Sequence, residues 1–238
     1  MGSKKINDTT KEFLRDRNPI ISVDTKKREQ VGKFKNPGKT WRKKGDPEKA
    51  EDHDYASRRI GIAIPYGSYD LKRNEGFVNI GVTCDTAEFA VNSIRQWWKF
   101  FGKKHYPTAK KILICADGGG SNGSANRLWK LSLQDFSSET GLTVTVRHYP
   151  PGTSKWNKIE HRMFSYISLN WKGRMLTDYS TIVKLISDTT TVKGLKIKAM
   201  IDGKVYERGK KVSNTDFESI KIAHDIKNPK WNYTISPF

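Results

Sequence analysis

Apolar residues are sparse at the start of the chain, and residues 1–19 read as a polar, charged lead-in ending at Asn18-Pro19. The first apolar run, Ile20-Ile21-Ser22-Val23, is short and β-branched, so it predicts a strand, and it ends on Asp24. Glu29–Phe34 either continues that strand or pairs back on it. From Lys33 to Arg59 no period is visible. Ile60–Tyr66 and Phe77–Val82 predict a hairpin about a polar turn containing Asn74-Glu75-Gly76. Ala87, Ala90, Val91, Ile94, Trp97, Trp98 and Phe101 then form one stripe at helical spacing, with Asp85 and Glu88 as the expected capping box.

The run Ile112–Ala116 is wholly apolar and bounded by Lys111, which predicts a strand buried on both faces. It ends on Asp117, followed by Gly118-Gly119-Gly120. A helix from about Ser124 to Thr140 follows, with Trp129, Leu133 and Phe136 on one face and Gly141 as its stop. Leu142, Val144 and Val146 alternate with polar residues in a further strand. The break at Pro150-Pro151-Gly152 leads to a helix over Lys155–Asn170, capped by Thr153 or Ser154. Beyond Gly173, a helix through Tyr179, Ile182, Val183 and Ile186 precedes an expected hairpin. Its strands are Leu195–Ile201 and Lys204–Glu207, turning at Asp202-Gly203, and a polar aromatic tail (Trp231-Asn232-Tyr233) closes the chain.

The order strand, hairpin, helix, strand, helix, strand predicts an α/β fold with a mixed sheet flanked by helices. Residues 20–175 form the expected core, with a basic insertion at about 33–59, and residues 176–238 an extension of helix plus hairpin. The 238 residues are enough for one substantial core.

Charge narrows the function. Forty-four Lys and Arg against 25 Asp and Glu give +19, which calls for a polyanionic partner, nucleic acid first. The insertion interleaves cations and aromatics: Trp41 stands beside Arg42, Lys43 and Lys44, a combination suited to stacking on a distorted strand, and an acidic block from Asp46 to Asp54 follows. Lys26, Lys27 and Arg28 directly follow the first acid. Cys84 and Cys115 are the only cysteines, so neither a disulfide framework nor a zinc site is indicated. No apolar run approaches the roughly 20 residues of a membrane span, and a cytoplasmic protein is expected.

Three acids stand out by context. Asp24 and Asp117 sit at strand exits, and Glu160 begins a stripe continued by Phe164, Ile167 and Trp171. Burying an ionised carboxylate without a partner is costly, so a cation is the expected partner. On neighbouring strands the two aspartates would stand about 5 Å apart. Carboxylates without a His or Cys cluster favour Mg²⁺ or Mn²⁺, and two such ions roughly 4 Å apart can drive an in-line displacement at a phosphodiester.

The segments ISVDTKKREQVGKFKNPG, ILICADGGGSNGSANRLWKL and YPPGTSKWNKIEHRMFSYI resemble the DDE transposase domain of the ISAzo13 group of bacterial insertion sequences, more distantly the IS630 and Tc1/mariner transposases. The resemblance runs from about Ile20 into the C-terminal tail. It implies an RNase H-like, retroviral integrase-type fold with a mixed five-stranded sheet. It also implies divalent-metal-dependent cleavage at transposon ends and strand transfer into double-stranded DNA, and an enzyme that can act as a homodimer assembled on DNA near the nucleoid. Carried across, the triad is Asp24, Asp117 and Glu160. Pro151, Asn157, Ile159 and Glu160 match the Pro-x-Asn-x-Ile-Glu pattern of the mariner relatives. Asn157 is a candidate for orienting a metal-bound water or a phosphate, and Lys155, Lys158 and Arg162 for meeting backbone phosphates.

Such transposases generally carry helix-turn-helix regions ahead of the catalytic domain, and here barely twenty residues precede the first acid, so an isolated catalytic domain, a truncated copy or a repurposed one is expected. Two other readings use the same residues: a structure-selective nuclease on the same scaffold, and a basic DNA-binding module or transposition regulator without turnover.

Overall fold

Strand β1 (Ile20–Thr25) lies at the centre of the sheet because both its faces are apolar: Ile21 and Val23 enter one core, and Ile20 another. The computed structural model describes residues 2–41, 43–45, 50, 59–150, 152–153 and 156–238. Arg42, Pro151, Ser154, Lys155 and the acidic block, apart from its intervening residue 50, lie outside the described residues.

The other strands are β2 (Glu29–Val31), β3 (Gly61–Asp70), β4 (Glu75–Gly81), β5 (Lys111–Ala116), β6 (Thr143–His148), β7 (Lys196–Asp202), β8 (Ile222–His224) and β9 (Asn232–Ile235). They form one sheet in the order β7-β4-β3-β1-β5-β6-β9-β8, with β2 pairing β3. β3 runs antiparallel to β1 and β4, whereas β1, β5 and β6 are mutually parallel. The helices are α1 (Gly2–Arg15), α2 (Ala87–Trp97), α3 (Lys103–His105), α4 (Arg127–Thr140), α5 (Ser165–Asn170), α6 (Tyr179–Ser187) and α7 (Asn214–Glu218).

Alternation along the strands builds a core on each face. On one face α2 and α4 supply Phe89, Ile94, Trp97, Trp129, Leu133 and Phe136 against Ile21, Val23, Ile112, Ile114 and Val144. On the other, Ile159, Met163, Phe164, Ile182 and Ile186 cover Ala63, Tyr69, Val78 and Ile80. Gly141 ends α4 in the left-handed region, φ 71°, as a glycine stop should.

Several expectations are corrected. The polar lead-in is helix α1: Ile6 and Phe13 lie on one stripe and pack on Ile20, Leu113, Cys115 and Tyr149. So narrow a stripe in a charged segment escapes a reading by composition. The capping box fails, because Thr86, not Asp85, caps α2 by accepting from the Phe89 N–H at 3.2 Å. Strand β3 extends to Asp70 and Glu75-Gly76 belongs to β4, so the turn is 71–74 with Asn74 at φ 54°.

The Asp202-Gly203 hairpin does not form. β7 instead pairs parallel with β4 from Glu75↔Lys196 to Gly81↔Asp202, while 203–206 is irregular. Seven residues of open sheet edge outweigh a two-residue turn, and Asp202 is held by Asn79, Asn92 and Tyr206 at 2.8–3.0 Å. The only hairpin pairing after residue 176 among the described residues is β8 with β9, and the expected tail is largely β9, its Tyr233 buried.

Candidate active site

Parallel pairing of β1 with β5 places Val23 opposite Ala116, so Asp24 and Asp117 leave the sheet side by side. Asp24 pairs with Gly67 of β3, whose missing side chain is what admits the segment carrying Glu160. A Cβ there would stand 2.7 Å from Ile159 Cδ1, Met163 Cε and Phe164 Cε1. Glu160 itself opens a single π turn, Glu160–Phe164, ahead of α5. This widened turn keeps Met163, Phe164 and Ile167 in the core while Glu160 stays half-buried at its edge.

Asn157 ties these pieces together. Its side chain is fully buried, and its amide nitrogen faces Asp117 Oδ1 at 3.1 Å, Val23 O at 3.2 Å and Asp24 Oδ2 at 3.5 Å. Its oxygen accepts from the Ser22 hydroxyl, which in turn accepts from the Ile159 N–H at 3.1 Å. The acceptor side of the amide is thereby fixed toward Ser22 and the donor side toward the carboxylates.

Electrostatics follow from this crowding. Burial, reinforced by the charges of Asp117, Glu160 and Asp85, pushes the Asp24 carboxyl up to about 8. Burial also raises Asp117, against the Asn157 hydrogen bond, and raises Glu160 together with the Asp117 charge. Lys26 opposes the rise at Glu160.

Asp24, Thr25, Lys26, Lys27, Arg28, Asp85, Asp117 and Gly118–Asn122 line an open cleft of about 590 Å³. Glu160 does not line it. Among the described residues no group of three His, Cys, Asp or Glu side chains is gathered closely enough to hold a metal ion. In chemistry the donor set nonetheless fits a hard divalent cation, being all carboxylate oxygen and half-buried. Asp24, Asp117 and Glu160 would hold it.

The basic candidates separate. Lys27, Arg28, Lys43, Lys44, Lys158 and Arg162 are exposed, and Trp41 is fully so. Lys26 is not available in the same way: its ammonium sits 4.3 Å over the Trp171 ring and 3.4 Å from Glu29, with the side chain 10% exposed. Asn157 is corrected from a DNA contact to a buried residue, because its polar atoms are spent on Ser22 and the strand exits. Arg42 and Lys155 lie outside the described residues.

Two participants escape a reading of the sequence. Asp85, freed from capping, accepts from the Thr25 hydroxyl at 3.3 Å inside the cleft. His148, the last residue of β6, is buried and bonds the Asp117 carbonyl at 2.9 Å, and burial lowers its pKa to about 4. The position of His148 directly after an alternating strand is the one signal the sequence offered.

The central order β4-β3-β1-β5-β6, antiparallel through β3 and parallel beyond it, with acids at the exits of β1 and β5, defines an RNase H-like α/β protein. Residues 3–237 match the model of the Rhodopirellula transposase DDE domain, and the chain belongs to that family, the ISAzo13 group. A Mos1 transposase paired-end complex with the left transposon end shares the fold: TM-score 0.50 at 11% identity, over 75% of this chain and 50% of that one. A Mos1 mariner paired-end complex with Mn matches at TM-score 0.44 and 13% identity over the same shares, 75% and 50%. The chain thus spans about half the length of the Mos1 chains it matches. No curated protein matches it.

Proposed function

We propose that this chain is the catalytic domain of a transposase, using Asp24, Asp117 and Glu160 with Mg²⁺ or Mn²⁺ to cleave double-stranded DNA at transposon ends and transfer the strands into target DNA. The observation that carries the reading is the side-by-side exit of Asp24 and Asp117, with the buried Asn157 amide turned to both carboxylates. Family membership supports the reaction class.

Divalent cations, which Asp24, Asp117 and Glu160 would hold, would supply activation of the attacking oxygen and stabilisation of the leaving oxygen, as a pair of such ions can. The chain's own residues do the rest. Asn157 holds the two aspartates in register, and Gly67 lets the segment that carries Glu160 lie against β3. Lys27 and Arg28 at the cleft mouth, with Lys158 and Arg162, meet phosphates, and Trp41 with Lys43 and Lys44 stacks on and grips a displaced strand. Assembly as a homodimer on DNA in the bacterial cytoplasm belongs to the same reading.

The test is direct. Mn²⁺ raises the melting temperature and permits nicking of supercoiled DNA, and Asp117→Asn loses both effects while DNA binding persists. Equal nicking by that variant overturns the triad. Binding without cleavage by the parent chain would instead indicate a DNA-binding regulator, and cleavage without joining to a target plasmid a nuclease.

A further inference from the structure

Asp117 is the first residue beyond the paired part of β5. The ladder between β5 and β6 runs to Ala116↔His148, and the last main-chain bond is Tyr149 N–H to Ala116 O at 2.9 Å. Beyond it come three glycines, of which Gly119 and Gly120 have open space around them and Gly120 lies at φ 66°. The Asn157 amide holds the Asp117 carboxylate at 3.1 Å, but among the described residues no main-chain N–H donates to the Asp117 carbonyl, which sets the plane of the peptide leading into that glycine run. The bond to its carbonyl comes from a side chain instead.

That side chain, His148, is one link in a buried series. Trp129 Nε1 donates to the Tyr233 hydroxyl at 2.8 Å, Tyr233 stands 3.1 Å from His148 Nε2, and His148 Nδ1 stands 2.9 Å from the Asp117 carbonyl. Trp129, Tyr233 and His148 are 0%, 1% and 2% exposed, so water cannot substitute for any link. Both ends are chemically fixed: an indole N–H only donates and a carbonyl only accepts. The Tyr233 proton must therefore go to Nε2, and His148 must carry its own proton on Nδ1. A doubly protonated ring would leave the Tyr233 proton without an acceptor.

We propose that Trp129, Tyr233 and His148 form a directional hydrogen-bond relay that positions Asp117, which makes the C-terminal strand β9 a working part of the catalytic site. His148 is the positioning residue, and Tyr233 sets its tautomer. The relay joins α4, β9, β6 and the exit of β5, elements separated by up to about half of the chain. The inference rests on the reading of Asp117 as a cation ligand.

Its test uses the full chain and two readouts. In ¹⁵N NMR of the cation-free protein, His148 shows a protonated Nδ1 and a bare Nε2; a protonated Nε2 overturns the relay. Mn²⁺ binding, followed by electron paramagnetic resonance, weakens about 10-fold or more in Tyr233→Phe, as loss of a supporting partner behind a ligand does elsewhere. Tyr106→Phe removes another largely buried hydroxyl, one bonded to Asp70 at 2.8 Å away from the cleft, and leaves Mn²⁺ affinity unchanged. Should Tyr233→Phe fail to fold, His148→Asn keeps a donor toward the Asp117 carbonyl and binds Mn²⁺ more tightly than His148→Leu. Unchanged affinity in Tyr233→Phe, or equal affinities for the two His148 variants, overturns this inference alone. A parent chain that binds no Mn²⁺ overturns the catalytic reading and this inference with it.

Discussion

The Asn157 amide donates to the Asp117 carboxylate at 3.1 Å from a side chain that is itself fully buried. The same group reaches back to Val23 O and Asp24 Oδ2, so one residue spans both strand exits. Replacing Asn157 by Leu leaves Ser22 and a pair of half-buried carboxylates without that partner. Urea denaturation is expected to show a loss of about 1–3 kcal/mol. Mn²⁺ affinity falls in the same variant, and a variant as stable as the parent would remove Asn157 from this role.

Asp24 makes stability depend on pH in an unusual direction. Its folded carboxyl titrates near 8 against an ordinary 3.8, so folding favours the protonated form. That contribution is complete below about pH 4 and is lost as pH rises through 8. In the absence of cations the protein is expected to weaken from pH 5 to pH 8, and Asp24→Asn to flatten the decline. Asp85→Asn lowers the midpoint by a smaller amount, since the Asp85 charge acts on Asp24 more weakly than those of Asp117 and Glu160. Thermal melts across this range in chelator decide it; a decline of the same size in Asp24→Asn would assign the effect elsewhere.

Gly67→Ala tests the approach of the Glu160 segment. The added methyl meets Ile159, Met163 and Phe164 at 2.7 Å, and overpacking of this kind costs about 1–3 kcal/mol. Because the displaced segment carries Glu160, cleavage should fall by more than the loss of folded protein explains. Activity normalised to folded protein, if unchanged, would show that Glu160 does not depend on this contact.

Helix α1 offers a prediction free of catalysis. Phe13 is 3% exposed against the underside of β1 and β5, with the Lys111 ammonium 5.2 Å from its ring. Truncation to Ala is expected to lower stability by about 3–5 kcal/mol, read from urea unfolding. A loss below 1 kcal/mol would mean that α1 contributes little to the fold.

Much of this arrangement is legible in the residues. The two strands ending in acid are short apolar runs with nothing but core on either face, and helix α4 announces both its stripe and its glycine stop. The strand-end positions of Asp24 and Asp117 follow from the same pattern. Other features have no local signature. Asp85 looks like a cap from its spacing to Glu88, and Thr86, one residue on, satisfies the first turn equally well. Asn157 reads as a polar residue in a helical turn, and only the fold shows that its turn faces the strand exits. Lys26 reads as one of three consecutive cations, yet Trp171 and Glu29 claim its ammonium.

The chain's own periodicity determined the strands β1, β3, β4, β5, β6 and β7, the helices α2, α4 and α6, and which acids end strands, because those choices rest on interactions within a few residues. The tertiary structure alone decided that β7 joins β4 and not its own neighbour, that α1 docks beneath β1 and β5, and that β9 brings Tyr233 to His148. The physical reason is one of reach. A turn or a cap contributes about 1 kcal/mol wherever it stands, whereas an open sheet edge or a buried, unpartnered polar atom gains its partner only when residues distant in sequence arrive together.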